Sequence, residues 1–309
     1  MRGGVRRGLT LAAGVAVGLS AWTSSGSAQV IEFGASAERV MLNVVAVDKH
    51  GHPVRDLKRR EFLVFDEGRP QRLTDFAHAS DLKARVLLLV DASGSMDERL
   101  KTTSTRMALM QLVAALAPED EVALAGFDSR YFGLVPFSTN HQAIFEKLSD
   151  LRPFGSTALN DALEHAARDL ASHGEGRRAV IVVTDGVDNA SVTTPDMAIA
   201  RSQALDVPIY ALSVISPLDD PKSPHFVGKL RAGQALLARY TSLSGGRAFN
   251  VSDFAGLQRA AREIMDELRH QYRLGYDPPR GPARLRRVEV RTTRRGVRVR
   301  TRTGYVPVS

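Results

Sequence analysis

The pentapeptide Asp91-Ala92-Ser93-Gly94-Ser95 follows directly on an apolar run, Val86-Leu87-Leu88-Leu89-Val90, and reads as part of a metal site. Two later segments complete it: Gly155-Ser156-Thr157, which opens a helical pattern, and Thr184-Asp185-Gly186, which follows the apolar run 179–183. Asp91, Ser93, Ser95, Thr157 and Asp185 together offer two carboxylates and three hydroxyls. A small hard cation such as Mg²⁺ takes about six oxygens and gives up its waters reluctantly, so neutral hydroxyls and water-bridged carboxylates suit it. Its charge is then only partly offset, and one position stays open to a carboxylate from outside. Asp, Gly and Ser after a strand are also ordinary turn residues, so the pentapeptide alone would carry little weight. Three such segments in order carry much more.

The elements around these segments alternate. Strands are expected at 86–90, 121–127, 179–184 and 207–214, and amphipathic helices at 99–116, 158–172 and 195–204. Leu159, Leu163, Ala166 and Leu170 share one helical face, as do Leu257, Ala261, Ile264 and Leu268 further on. Such alternation predicts an α/β fold with a mostly parallel sheet covered by helices. Asp91 and Asp185 then lie just beyond the carboxyl ends of buried strands, where open α/β sheets bind ligands. Asp97 and Glu98 are nearby, and their placement at a helix start is explained by the helix dipole.

The flanks read as β structure. Residues 40–48, 61–65 and 71–76 are strand-like, with His50 and His52 in a turn containing Gly51 and Pro53. Near the C-terminus, 287–291 and 297–302 alternate Val with Arg on either side of Thr292–Gly296, which predicts a hairpin with Val inward and Arg outward. The segments divide as 1–28, 36–80, 81–271 and 272–309. The two β segments, each marginal alone, are expected to pair into one smaller β-rich domain with the α/β region inserted between them.

The formal charge of +8 is unevenly spread. Residues 1–28 hold three Arg and no acid, and 279–309 hold ten Arg against Glu289, which leaves −4 for 29–278. Basic character is therefore a C-terminal feature, a candidate contact for an anionic envelope surface and equally a solvated Arg edge. Nucleic acid is not expected as a partner. Residues 1–28 carry Arg6-Arg7, a short apolar stretch and a small-residue end at Gly26-Ser27-Ala28, which reads as a leader cleaved after Ala28. The mature chain is expected outside the cytoplasm, periplasmic, at the cell surface or extracellular, with no membrane span. The absence of Cys excludes disulfides, thiolate metal sites and a Cys nucleophile.

The site segments resemble the metal-ion-dependent adhesion site of von Willebrand factor type A domains, Asp-x-Ser-x-Ser with a distant Thr and Asp, and all five positions match. The resemblance implies a Rossmann-like doubly wound domain and a Mg²⁺ or Mn²⁺ cofactor. Ser93, Ser95 and Thr157 would be the more direct ligands, with Asp91 and Asp185 acting largely through water. The flanks, through 48–54, Glu61-Phe62, Tyr272-Arg273-Leu274-Gly275-Tyr276 and Gly304-Tyr305, resemble an exported bacterial group carrying a related domain. These likenesses imply a non-enzymatic adhesion or protein-binding role, in which a protein or other acidic ligand completes the metal coordination. An envelope assembly or scaffold factor using the same site is the alternative. A metal-dependent hydrolase has less support: there is no Gly-x-Ser-x-Gly elbow, and His165, His225 and His270 are scattered.

Overall fold

The computed structural model describes residues 39–78, 82–96, 99–148, 153–174, 176–214 and 224–307. The expected leader over 1–28 and the pair Asp97 and Glu98 lie outside the described residues. In chain order the elements are β1 (Val40–Val47), β2 (Phe62–Asp66), β3 (Arg69–Gln71), β4 (Leu73–His78), β5 (Ala84–Asp91), α1 (Arg99–Ala114), β6 (Glu121–Phe127) and β7 (Tyr131–Ser138). Next come α2 (Gln142–Lys147), α3 (Leu159–Ser172), β8 (Arg177–Thr184), α4 (Pro195–Ala204), β9 (Ile209–Val214), α5 (Pro224–Ser244) and β10 (Ala248–Val251). The last are α6 (Phe254–Arg269), β11 (Tyr272–Tyr276), β12 (Arg286–Thr292), β13 (Arg298–Arg300) and β14 (Gly304–Tyr305).

A six-stranded sheet in the order β10-β9-β8-β5-β6-β7 forms the centre of the α/β region. Its first five strands run parallel, and β7 joins β6 antiparallel at one edge. The central strands β5 and β8 carry continuous apolar runs between polar ends because both faces are covered, as parallel sheets require. On one face Val86, Leu88 and Val90 pack with Leu109 and Leu112 of α1 and with Leu257, Ile264 and Leu268 of α6. On the other, Leu87 and Leu89 meet Leu159, Leu163 and Leu170 of α3 and Tyr240 of α5. Each fully buried leucine of this kind contributes about 1.5–3 kcal/mol. Helix starts are capped by sequence-encoded groups: Asp253 accepts from Gly256 N at 2.6 Å, and Thr194 stands before Pro195 and accepts from Met197 N.

The flanking strands build two four-stranded sheets, β13-β1-β11-β4 and β14-β12-β2-β3. The first brings Leu42 opposite Leu274, and the second brings Val64 opposite Val290. Between the sheets Leu42, Val44, Phe62, Val64, Tyr272, Leu274, Tyr276, Val288 and Tyr305 share one core. Inside it, Asp66 accepts hydrogen bonds from Tyr276 at 3.3 Å and from Tyr305. Tyr272 donates to Val54 O at 2.6 Å and accepts from Leu57 N, which fixes the loop after β1.

The Arg-rich strands differ from the hairpin expectation. β12 pairs with β2 and β14, whereas β13 pairs with β1. Alternation fixes which residues turn inward and does not fix which strand is the neighbour. Arg294 in the connection is drawn instead to Glu61 at 2.8 Å and to Asp56, both of the N-terminal β segment. Nor are all the arginines solvated. Arg286 is buried and donates to Pro279 O at 2.7 Å. Arg302 is buried between the β strands and the α/β region, donating to Met41 O at 2.7 Å and Gln203 O at 2.6 Å.

Candidate metal centre

Asp91 is the last residue of β5, and its neighbours at the carboxyl edge of the sheet are set by backbone bonds. Ala92 N donates to Phe127 O at the end of β6, and Phe154 N donates to Ala92 O, both at 2.8 Å. Gly94 N donates to Gly155 O at 3.0 Å, so the first and second candidate loops are stitched together. Gly94 has little alternative, because a Cβ there would sit 3.3 Å from that carbonyl. The chain then turns through a short 3₁₀ segment, Gly94–Met96. The side chain of Ser95 lies outside what the structure describes.

Thr157 is held from the third loop. Its N–H donates to Asn189 Oδ1 at 2.8 Å, and its carbonyl accepts from the N–H groups of Asn189 and Ala190. Ala158 N meanwhile donates to Asp128 O at 2.7 Å, beyond β6. Asp185 follows β8 and accepts from Val187 N at 3.1 Å. Gly186, with φ of 84°, lies so close to Gly233 of α5 that a Cβ on either would meet the other segment's backbone at 2.8 Å. A helix that carries Gly at that point can approach the Asp185 turn, and one with a side chain there cannot.

The four described candidates, Asp91, Ser93, Thr157 and Asp185, are all buried. Asp91 accepts from Ser93 N on Oδ1 at 2.9 Å and from the Thr184 hydroxyl on Oδ2 at 2.6 Å. Burial pushes the Asp91 carboxyl up to about 6, helped by the negative charge of Asp185 and opposed by hydrogen bonds from Ser93 and Thr184. Two carboxylates drawn out of water and toward one another are a donor set that a cation would relieve, and the residues present therefore fit a hard divalent ion. Among the described residues no group of three or more His, Cys, Asp or Glu side chains is placed to hold a metal. A hydroxyl-rich pair of aspartates is a different kind of set.

Part of this arrangement is similar to a known domain type. Residues 86–187 match the family model of the von Willebrand factor type A domain. The match runs from β5 through the Asp185 turn and so contains all five candidate residues. A curated protein of Borreliella burgdorferi (strain B31), described as uncharacterized, is 24% identical over 200 residues, covering 59% of this chain. The chain spans 58% of that relative's length. Among solved structures, a von Willebrand factor type A protein of Catenulispora acidiphila is similar at 14% identity and a TM-score of 0.48, over 87% of this chain and 74% of that one. The conserved hypothetical protein BatB of Bacteroides thetaiotaomicron is similar at 18% identity and a TM-score of 0.46, over 60% of this chain and 98% of that one.

Several residues that hold the candidate site's backbone and side chains had no signal in the sequence. Thr184 was legible only as a neighbour of Asp185, yet its hydroxyl bridges Asp91 and Gly186 N. Asn189 and Gly233 act on backbone 32 and 48 residues away, at Thr157 and Asp185 respectively. Phe154 and Val192 stand on two of the site loops and are 79% and 92% exposed. His165 is exposed and stacks on Tyr131 at 5.7 Å, and His270 bonds within its own helix to Asp266. Both are structural in the described chain.

Proposed function

We propose that the type A region binds a protein partner outside the cytoplasm, holding one of the partner's carboxylates through a divalent cation. Asp91, Ser93, Ser95, Thr157 and Asp185 would hold the ion, Mg²⁺ or Mn²⁺, which supplies an electrophilic position for an acidic oxygen. The observation that carries this reading is the convergence of Asp91, Ser93, Thr157 and Asp185, all buried, on one edge of the sheet through the Ala92, Gly94 and Thr184 hydrogen bonds. Phe154 and Val192, exposed on the same loops, would give the partner an apolar rim around the charged contact.

The protein's own groups prepare the site before any partner arrives. Thr184 and Ser93 N orient the Asp91 carboxylate, and Asn189 fixes the backbone of Thr157. The leader-like residues 1–28 support export. No helix among the described residues is long and apolar enough to cross a membrane. The resemblance of the site segments to an adhesion site supports a binding role over a metal-dependent hydrolase.

Calorimetry with Mg²⁺ and Mn²⁺ tests the centre: one ion per chain is expected, lost in Asp91→Ala and in Asp185→Ala. Capture from an envelope extract with Mg²⁺, followed by release with chelator, tests the partner. Unchanged metal binding in both variants would overturn the site, and a hydrolytic turnover that disappears in Asp91→Ala would overturn the binding role.

A further inference from the structure

A cavity of about 720 Å³ opens where β13, the end of β12, the turn after β1 and the α5–β10 connection meet, and none of the candidate metal residues lines it. Its lining includes Val47 of β1 with Val290, Val297 and Val299 of the Val–Arg alternation, a valine floor. Cations stand around them: Lys49, Arg298, Arg247 and Arg300. Small-molecule pockets are roughly 300–1,000 Å³ and combine an apolar lining with a few placed polar groups, and this cavity has that composition.

The charges do not cancel. Glu267 is 1% exposed and sits beneath the cavity, 2.5 Å from Arg300 Nη2 and 3.6 Å from Arg247 Nη1. Arg247 also meets Glu263 at 2.7 Å and lies over the ring of Phe249. These two arginines are thus neutralised and fixed, with Glu267 as their positioning residue. Arg291 is likewise taken, by Glu289 at 2.6 Å and by the Phe65 ring. Lys49 and Arg298 are exposed, and no described carboxylate pairs with either. The Arg300 Nε–H, on another residue of the cavity lining, is buried and has no acceptor.

We infer that this cavity binds a phosphate-bearing small molecule, with the phosphate met by Lys49 and Arg298 and the organic body lying on the valine floor. Two uncompensated cations match the charge of a phosphate dianion, and a guanidinium fork matches its oxygens in pairs. A single carboxylate would leave one of the two cations unanswered. The concave shape favours a headgroup or a phosphate ester over an extended polyanion. The site is separate from the metal centre and owes nothing to the metal reading.

The test is calorimetry on the full chain in low salt with EDTA present, using phenyl phosphate and inorganic phosphate as probes. Saturable one-to-one binding is expected, tighter for phenyl phosphate because its ring reaches the valine floor. The double variant Lys49→Gln/Arg298→Gln, changed only at exposed positions, should bind at least tenfold more weakly. No saturable binding of either probe, or an unaffected double variant, would overturn the inference. Competition with vesicles identifies the source. Displacement of phenyl phosphate by vesicles carrying phosphatidic acid, a phosphate monoester, but not by phosphatidylcholine vesicles assigns a lipid headgroup, and no displacement by either assigns a soluble phosphate ester. Because no divalent ion is present, failure here is distinguishable from failure of the metal centre.

Discussion

Thr184 donates its hydroxyl to Asp91 at 2.6 Å across the gap between two adjacent parallel strands, and both groups are fully withdrawn from water. The same hydroxyl accepts from Gly186 N, so one side chain couples the orientation of the Asp91 carboxylate to the turn that carries Asp185. Thr184→Val keeps the shape and removes both bonds. It should weaken Mg²⁺ binding about 10–100-fold, the usual effect of losing a group that orients a ligand. Calorimetry with the variant and a far-ultraviolet spectrum matching the parent would check this. Parent-like affinity would show that Thr184 serves packing alone.

Phe154 and Val192 test the partner contact without touching the ion. Each is exposed and on a site loop, so Phe154→Ala and Val192→Ser should cost little stability, within about 0.5 kcal/mol. Mg²⁺ affinity should be unchanged, whereas capture of the envelope partner should fall by tenfold or more in the pair. Loss of metal binding alongside capture would mean that these residues shape the site itself.

Much of this architecture was legible because burial leaves a period. β5 and β8 read as strands from continuous apolar runs, and α3 and α6 from residues three and four apart. What was illegible depends on who the neighbour is. β7 contains Gly133 and Pro136, which look like a turn, yet it forms the antiparallel edge of the sheet, where Pro is tolerated. α5 carries Gly228 and Gly233, which weaken its helical pattern, and Gly233 is there to let the helix reach the Asp185 turn. The Val–Arg strands gave their inward faces correctly for Val288 and Val290 but not their pairing, because the same alternation serves either sheet. Arg302 looks like any surface arginine in the sequence, and only the fold turns it into a buried tie between Met41 and Gln203.

That tie yields a stability prediction. Arg302 also lies 3.3 Å from Asp206, so Arg302→Ala would remove a charged donor from Asp206, Gln203 O and Met41 O at once, with Asn43 Nδ2 still donating to Asp206 at 2.8 Å and Asp206 N to Gln203 O. The expected loss is about 3 kcal/mol. Arg302→Lys should recover part of it, since one ammonium can reach fewer of the three acceptors than a guanidinium fork. Denaturant unfolding of the three proteins measures the order. A loss below about 1 kcal/mol in Arg302→Ala would mean that water replaces the arginine at this junction.

The Asp91 carboxyl predicts how the metal-free protein should respond to pH. Its folded value is raised to about 6 from an ordinary 3.8, chiefly by burial. Between those two values the folded chain holds a proton that the unfolded chain has released, so lowering the pH through 6 stabilises the metal-free fold and raising it destabilises. From pH 5 to pH 7.5 the loss attributable to this group is about 1.4 kcal/mol. Other groups titrate in the same window, so the measurement is a comparison: in EDTA, the parent should lose about that much more stability over the interval than Asp91→Asn, which has no proton to release. Saturating Mg²⁺ should reverse the sign in the parent, because the ion binds the deprotonated carboxylate and competes with the proton. Equal pH responses of parent and Asp91→Asn without metal would show that Asp91 is better hydrated than its burial implies. It would also remove the electrostatic tension that makes this edge of the sheet fit a cation.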